Sequence, residues 1–147
     1  MSLQNWLDNK WIRKHQTSPQ EIGNLLEIVK RDIKDANFRK VSADWRFGIA
    51  YNAALKLFTI LIYAKGYRPE RTLAHYRTIQ ALPLILGKDK EKDINYLDAC
   101  RIKRNKVEYD YSGGSTHLEA DELIKFTKEL KTTVINWLWD NYPELLK

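Results

Sequence analysis

The chain has 147 residues and a net charge of +6 at neutral pH, with 44% apolar and 30% charged residues. This balance is typical of a globular rather than a disordered protein, and we interpret residues 1–147 as a single domain. Six glycines and four prolines are too few for an all-β fold with many turns. One cysteine excludes an internal disulfide and favours a reducing, cytoplasmic location.

The N-terminal region predicts two amphipathic helices. The first covers about residues 3–15, where apolar side chains recur along one side. The second starts at Ser18 and Pro19, because serine caps a helix and proline there gives up only an N–H that has no helical partner. Glu21 is expected to complete a capping box by reaching back to the cap.

The third helix is predicted to lie at the centre of the fold. It starts at Ser42 or Asp44 and runs up to Gly66, which can adopt the left-handed conformation of a helix terminator. Between residues 47 and 64 it is apolar nearly all round, with Lys56 as its only charge. A helix of this kind is expected to be buried on every side. No membrane span is predicted, because Lys56 interrupts the longest uncharged run.

The second half of the chain predicts three further helices. A fourth spans roughly residues 72–86 and is expected to kink or end early at Pro83. A fifth runs from about Lys90 to Tyr111 and stops at Gly113-Gly114, and a capping box at Thr116–Glu119 starts the last helix. Since no segment alternates with period two, the predicted fold class is all-α, an up-and-down helical bundle of five to six helices.

The excess positive charge is concentrated in one stretch. Residues 65–106 hold 11 lysines and arginines against 5 acidic residues, whereas the rest of the chain holds 14 of each. A localised surplus raises the local potential and attracts polyanions such as nucleic acid. A solvated, solubilising surface is the alternative interpretation.

The fifth predicted helix carries the polar residues that could do chemistry. Four of them share one face, since successive residues step by about 100° around a helix axis: Arg101, Arg104, Glu108 and Tyr111. This face coincides with the apolar stripe of the helix, and Asn105 lies at its edge. Charges buried there must be paired. The arginines therefore either form an internal network with Glu108 or line a cleft that binds phosphate.

A second polar cluster, Asp44, Arg46 and Asn52, lies at the start of the central helix. It could face the first cluster if the two helices are neighbours, which makes Arg46 a candidate ligand contact. The alternative is that these residues cap the helix and add one ion pair.

The three histidines are candidate acid/base groups, because histidine titrates near neutral pH. His75 follows a basic loop and has arginines two and four residues away, so it could act in a cleft as an acid/base or a ligand contact. His15 and His117 fall at helix ends, where structural or exposed positions are expected. No spacing of histidine, cysteine or carboxylates suits a metal ion, and neither a metal nor another cofactor is predicted.

Several blocks of the chain resemble a bacterial HEPN (higher eukaryotes and prokaryotes nucleotide-binding) domain family. The resemblance extends over about residues 18–138, and the blocks that carry it are Asp44–Ala54, Gly66–Arg68, His75–Leu82, Cys100–Asn105 and Tyr109-Asp110. It implies a helical bundle that dimerises. Many members are metal-independent ribonucleases of toxin–antitoxin, phage-defence and RNA-processing systems.

The hallmark of that family is an arginine and a polar residue, followed after four to six residues by a histidine. Arginine and histidine from two protomers meet in the dimer cleft and cleave RNA with its own 2′-hydroxyl. Arg104 and Asn105 match the first half of the motif, but the positions expected to hold histidine are Tyr109, Asp110 and Tyr111. An unperturbed tyrosine titrates near ~10, so weak or absent cleavage is expected.

The resemblance and the residue patterns together give one leading hypothesis. We expect a homodimer that binds RNA or a nucleotide, as a toxin–antitoxin or stress-response component with an antitoxin or nucleotidyltransferase as partner protein. The predicted catalytic residues are Arg104, Asn105 and Tyr109, and the predicted binding residues are Arg101, Arg104, Asn105, Tyr111, Arg46 and His75. Two alternatives stay open: an active metal-independent ribonuclease that uses His75 or Tyr109, and a non-catalytic protein-interaction scaffold.

Overall fold

Helices make up most of the chain. A computed structural model describes residues 2–109 and 113–147, apart from the side chains of residues 107–109. The helices are α1 (Leu3–Asp8), α2 (Pro19–Ala36), α3 (Ala43–Ala64), α4 (Ala74–Gln80), α5 (Leu82–Leu86), α6 (Glu91–Tyr109) and α7 (His117–Asn141). Short 3-10 turns cover Lys88–Lys90 and Pro143–Leu146, and strands β1 (Ile12–Lys14) and β2 (Tyr67–Pro69) pair antiparallel. The predicted all-α class is thus confirmed at the level of a mostly helical bundle.

The central helix of the bundle is α3. Helices α2 and α7 pack along it, and β2, α4, α5 and α6 cover its remaining sides. As a result 14 of its 22 residues are buried. By length and composition α3 could cross a membrane, but 72% of its most apolar stretch is buried by the rest of the chain, as in the core helix of a bundle.

The predicted helix ends are confirmed where a local signal defines them. Ser18, Ser42 and Thr116 each accept a hydrogen bond from the backbone N–H three residues further on. Thr116 also forms the predicted reciprocal box with the third residue of its helix. After α3, Gly66 has a φ of +90°, a conformation that glycine adopts without steric cost.

The predicted capping box at the start of α2 is wrong in one part. Instead of reaching back to the cap, the carboxylate of Glu21 accepts a hydrogen bond from the Thr17 hydroxyl and lies 2.7 Å from Nε2 of His15. The His15 ring in turn packs on Tyr63, with ring centroids 4.4 Å apart. His15 therefore links Glu21, at the start of α2, to the end of α3.

The prediction of one helix over residues 3–15 is also wrong. Helix α1 ends at Asp8, and Lys10 has a φ of +62°, which a helix does not allow. Residues 12–14 form β1, in which Ile12 lies opposite Pro69 and is almost completely buried. A distant strand satisfies the backbone of this segment, so tertiary pairing overrides the local helical pattern.

The fourth predicted helix is interrupted as expected. It forms two pieces, α4 and α5, and Pro83 lies in the first turn of the second piece, where its missing N–H costs little. The first piece starts later than predicted, because Leu73 before it has a φ of +58°.

Arg46 is a structural residue, and its predicted role as a ligand contact is corrected. Its side chain is 1% exposed. Nε donates to the carbonyl of Ala36 at 2.7 Å, one terminal nitrogen donates to Asp121 at 2.6 Å, and the other lies 2.9 Å from Nδ1 of His117. The guanidinium is thus engaged inside the bundle, where it joins α2, α3 and α7.

Asp44, from the same cluster, is likewise used within the fold. Its carboxylate accepts hydrogen bonds from the backbone N–H groups of Gly113 and Ser115, at 2.6 and 3.0 Å. It therefore holds the segment that leads into α7. The structural interpretation of this cluster is favoured over the ligand interpretation.

Replacing Arg46 tests this structural role. Arg46→Met should lower the free energy of unfolding by about 1–3 kcal/mol, because it leaves the Ala36 carbonyl buried without its donor. Urea denaturation followed by circular dichroism measures the change. The matched control is Arg39→Met, since Arg39 contacts the same Asp121 from a side chain that is 65% exposed. Equal effects of the two substitutions would contradict the assignment.

Candidate functional site

The two predicted arginines of α6 lie against aromatic rings of the neighbouring helices. The guanidinium carbon of Arg104 is 5.6 Å from the ring centroid of Tyr51 on α3. That of Arg101 is 5.6 Å from the ring centroid of Tyr76 on α4. Such cation–π contacts hold a guanidinium in place beside apolar surface without neutralising its charge. Together with His75, these four residues define what we call the α3–α4–α6 seam.

Arg101 also has an acidic partner within its own helix. Its Nε donates to Asp98 at 2.9 Å, and both side chains are partly exposed, at 24% and 29%. A pair of this exposure is weak. The side chain of Glu108, the other predicted partner, lies outside the described residues.

Tyr51 contributes a buried hydroxyl to the seam. Its side chain is 1% exposed, and its hydroxyl has no hydrogen-bond partner within residues 2–106 and 113–147. Burial raises the pKa of the Tyr51 phenol to about 12, although the nearby charges of Arg104 and Arg101 act in the opposite direction. Tyr51 is therefore a protonated donor at neutral pH. A buried hydroxyl without a partner costs about 1–3 kcal/mol, which makes it a candidate contact for a ligand.

His75 lies beside the ring of Tyr51, at the start of α4. Its ring centroid is 6.2 Å from that of Tyr51, and the residue is exposed. Partial removal from water lowers the pKa of the His75 imidazole, and the charges of Arg104, Lys56 and Arg101 lower it further. The ring is therefore neutral at pH 7 and can accept a proton.

The same histidine also borders a cleft of about 580 Å³ between α3, α4 and the strand pair. We call it the basic cleft. The charged groups that line it are four cations and one carboxylate, namely Arg13, Lys56, Arg68, Arg71 and Glu70. The carboxylate contacts one of the four cations, Arg13. His75 thus connects the α3–α4–α6 seam with the basic cleft.

The other predicted site residues are placed less completely. Asn105 is partly exposed on α6, directly after Arg104. Tyr109 is the last residue of α6, but its side chain is outside the described part of the chain, and Tyr111 lies outside the described residues altogether. Their proposed roles stay predictions. Among the described residues no group of three or more histidines, cysteines and carboxylates could hold a metal ion.

Sequence reasoning missed Tyr51 and Lys56 as parts of a site. Both lie on the apolar central helix, where a tyrosine is normally a core residue and a single lysine normally reaches solvent. The only available signal was their position on a helix predicted to be buried all round. A polar side chain on such a helix needs either a hydrogen-bond partner or access to solvent through a cleft.

Comparisons of the chain with protein-family models, curated proteins and solved structures found no match. The resemblance to HEPN domains therefore stays a proposal, which the side chains described above must support.

The pKa of His75 tests the electrostatics of the seam. We expect the imidazole to titrate below its ordinary value of 6.5, and Arg104→Gln to raise the pKa by removing a nearby positive charge. NMR titration of the imidazole signals measures both values. Lys125→Gln is the control, because Lys125 is exposed on α7 and lies outside the seam and the cleft. A pKa at or above 6.5 in the unchanged protein would contradict this account.

Proposed function

We propose that this chain is an HEPN-like domain that binds RNA at the α3–α4–α6 seam. The observation that carries the proposal is the packing of Arg101 and Arg104 on tyrosines, beside a buried hydroxyl and a neutral histidine. Guanidinium groups bind phosphate oxygens in a forked geometry, and a buried phenol can add one further hydrogen bond.

Single-stranded RNA suits the surroundings of this seam. Exposed bases of a single strand stack on aromatic rings and on guanidinium planes, and the half-buried Tyr76 and the exposed His75 supply such surfaces. The basic stretch of residues 65–106 includes α4, most of α6 and the loop between β2 and α4. Its surplus charge supports the approach of a polyanion from this side.

A metal-independent ribonuclease is the second candidate function, favoured by the neighbouring His75 and Tyr51. In this reaction His75 accepts the proton of a 2′-hydroxyl, the oxygen attacks phosphorus, and the P–O5′ bond breaks. Tyr51 then donates its proton to the leaving 5′-oxygen. Tyr109, which occupies a position of the family's histidine, is the alternative proton-transfer residue. Because that position lacks histidine, binding rather than cleavage is the primary proposal.

The family resemblance also suggests the biological setting. We propose a homodimer in a toxin–antitoxin or stress-response system, with an antitoxin or nucleotidyltransferase as protein partner. Ile102, which is 46% exposed on α6, is an apolar side chain that a second protomer could cover. The interaction-scaffold alternative would instead require that Arg101 and Arg104 serve only the fold.

RNA binding by arginine variants tests the proposal. Arg104→Ala and Arg101→Ala should each weaken binding of a labelled single-stranded RNA about tenfold, because each removes a charged hydrogen-bond donor. Binding and cleavage are read without metal across a salt series, and affinity should fall as salt rises. Lys125→Ala, which removes an exposed cation elsewhere, should have little effect.

The outcomes of that experiment separate the three functions. Binding without cleavage supports the primary proposal, and cleavage that His75→Ala abolishes supports the ribonuclease. If the protein binds no RNA, or if the arginine variants unfold, the scaffold interpretation gains and the proposal fails.

A further inference from the structure

The basic cleft gathers positive charge that the fold itself does not neutralise. Glu70 contacts Arg13, whereas Lys56, Arg68 and Arg71 form no ion pair within the described part of the chain. Like charges around one cavity repel each other, which is unfavourable for the folded state. An arrangement of this kind is explained if an anion binds between the cations.

Lys56 is the most informative of these cations. It is the only charge between residues 47 and 64 of the buried helix α3, and its side chain is half-buried at the cleft. A half-buried lysine that forms no ion pair gains a favourable interaction when an anion binds beside its ammonium group. A ligand in the cleft supplies that anion.

The threonine hydroxyls of the cleft are not free to donate a hydrogen bond to an anion, so the cations are the groups that would bind it. Thr59 and Thr78 also line it, but their hydroxyls donate to helix carbonyls of Leu55 and Ala74, at 2.9 and 2.7 Å. Their oxygens can therefore only accept further hydrogen bonds. Tyr63 adds an aromatic wall on which a nucleoside could rest.

We propose that the basic cleft binds a terminal phosphate group, carried by the end of an RNA strand or by a free nucleotide. A phosphate monoester carries about −1.5 to −2 charges at neutral pH, more than the single charge of an internal phosphodiester. Three cations without acidic partners match the higher charge. The cleft volume of about 580 Å³ also falls in the range of small-molecule sites.

This inference extends the proposed function. Binding of an RNA end in the cleft rests on the proposed binding of RNA at the seam. Since His75 belongs to both the seam and the cleft, a strand bound at Arg101 and Arg104 could place its end between Lys56 and Arg71. A free nucleotide would use the same cleft without any RNA at the seam. The two sources share one chemistry and are separated by experiment.

The test compares RNAs that differ only in a terminal phosphate and adds two small phosphate ligands. Fluorescence anisotropy measures binding of one short RNA with a 5′-phosphate, with a 3′-phosphate, or with hydroxyls at both ends. Calorimetry measures binding of ATP and of inorganic pyrophosphate. The variants are Lys56→Gln and Arg71→Gln, with Lys125→Gln as the matched control, and thermal unfolding checks that each variant folds.

We expect a terminally phosphorylated RNA to bind about tenfold more tightly than the hydroxyl form, and each cleft variant to abolish this preference. Arg104→Ala should weaken both forms alike. Equal affinity for all RNA ends, together with no binding of ATP or pyrophosphate, would overturn the inference and leave RNA binding intact. Binding of ATP or pyrophosphate that Lys56→Gln weakens, without any RNA binding, would keep the inference and overturn the proposed RNA function. Binding that Lys56→Gln and Arg71→Gln leave unchanged would also overturn it.

Discussion

The burial of most of α3 is the constraint on which the rest of the structure depends. An apolar helix of 22 residues must be covered all round, and α2, α7, α4, α5, α6 and β2 do so. Each polar side chain on α3 then needs either a bonding partner or access to solvent. Arg46 is buried and hydrogen-bonded to α2 and α7. Tyr51 is buried with its ring beside Arg104 and His75, and Lys56 lines the basic cleft.

Positively charged side chains lie close to two of these three residues, Tyr51 and Lys56. Arg101 and Arg104 lie at the seam and Lys56 at the cleft, and all three lower the pKa of His75 between them. Binding sites often hold like charges close together, which reduces the stability of the free protein. A bound ligand of opposite charge removes this repulsion. The anion-binding proposals follow from this arrangement.

Local signals predicted much of the fold, and long-range contacts account for the failures. The cap at Thr116 depends on neighbouring residues and was confirmed. Residues 12–14 form a strand because they pair with residues 67–69, which lie more than fifty residues further along the chain. Periodicity placed Arg104 on the packed face of its helix but could not identify the rings it meets. Periodicity also could not show whether Arg46 is a structural residue or a ligand contact, because its partners come from α2 and α7. Tyr51 was missed because only its surroundings distinguish it from an ordinary core tyrosine.

The hydroxyl of Tyr51 gives the most direct test of the claim that the seam is kept polar for a ligand. Tyr51→Phe removes one oxygen atom and keeps the ring that packs beside Arg104 and His75. The free energy of unfolding and the affinity for single-stranded RNA are measured on the same preparation. Because a buried hydroxyl without a partner is costly, the account predicts unchanged or higher stability, by about 1 kcal/mol, together with weaker RNA binding. Lower stability with unchanged RNA affinity would contradict the account and would assign the hydroxyl to the fold.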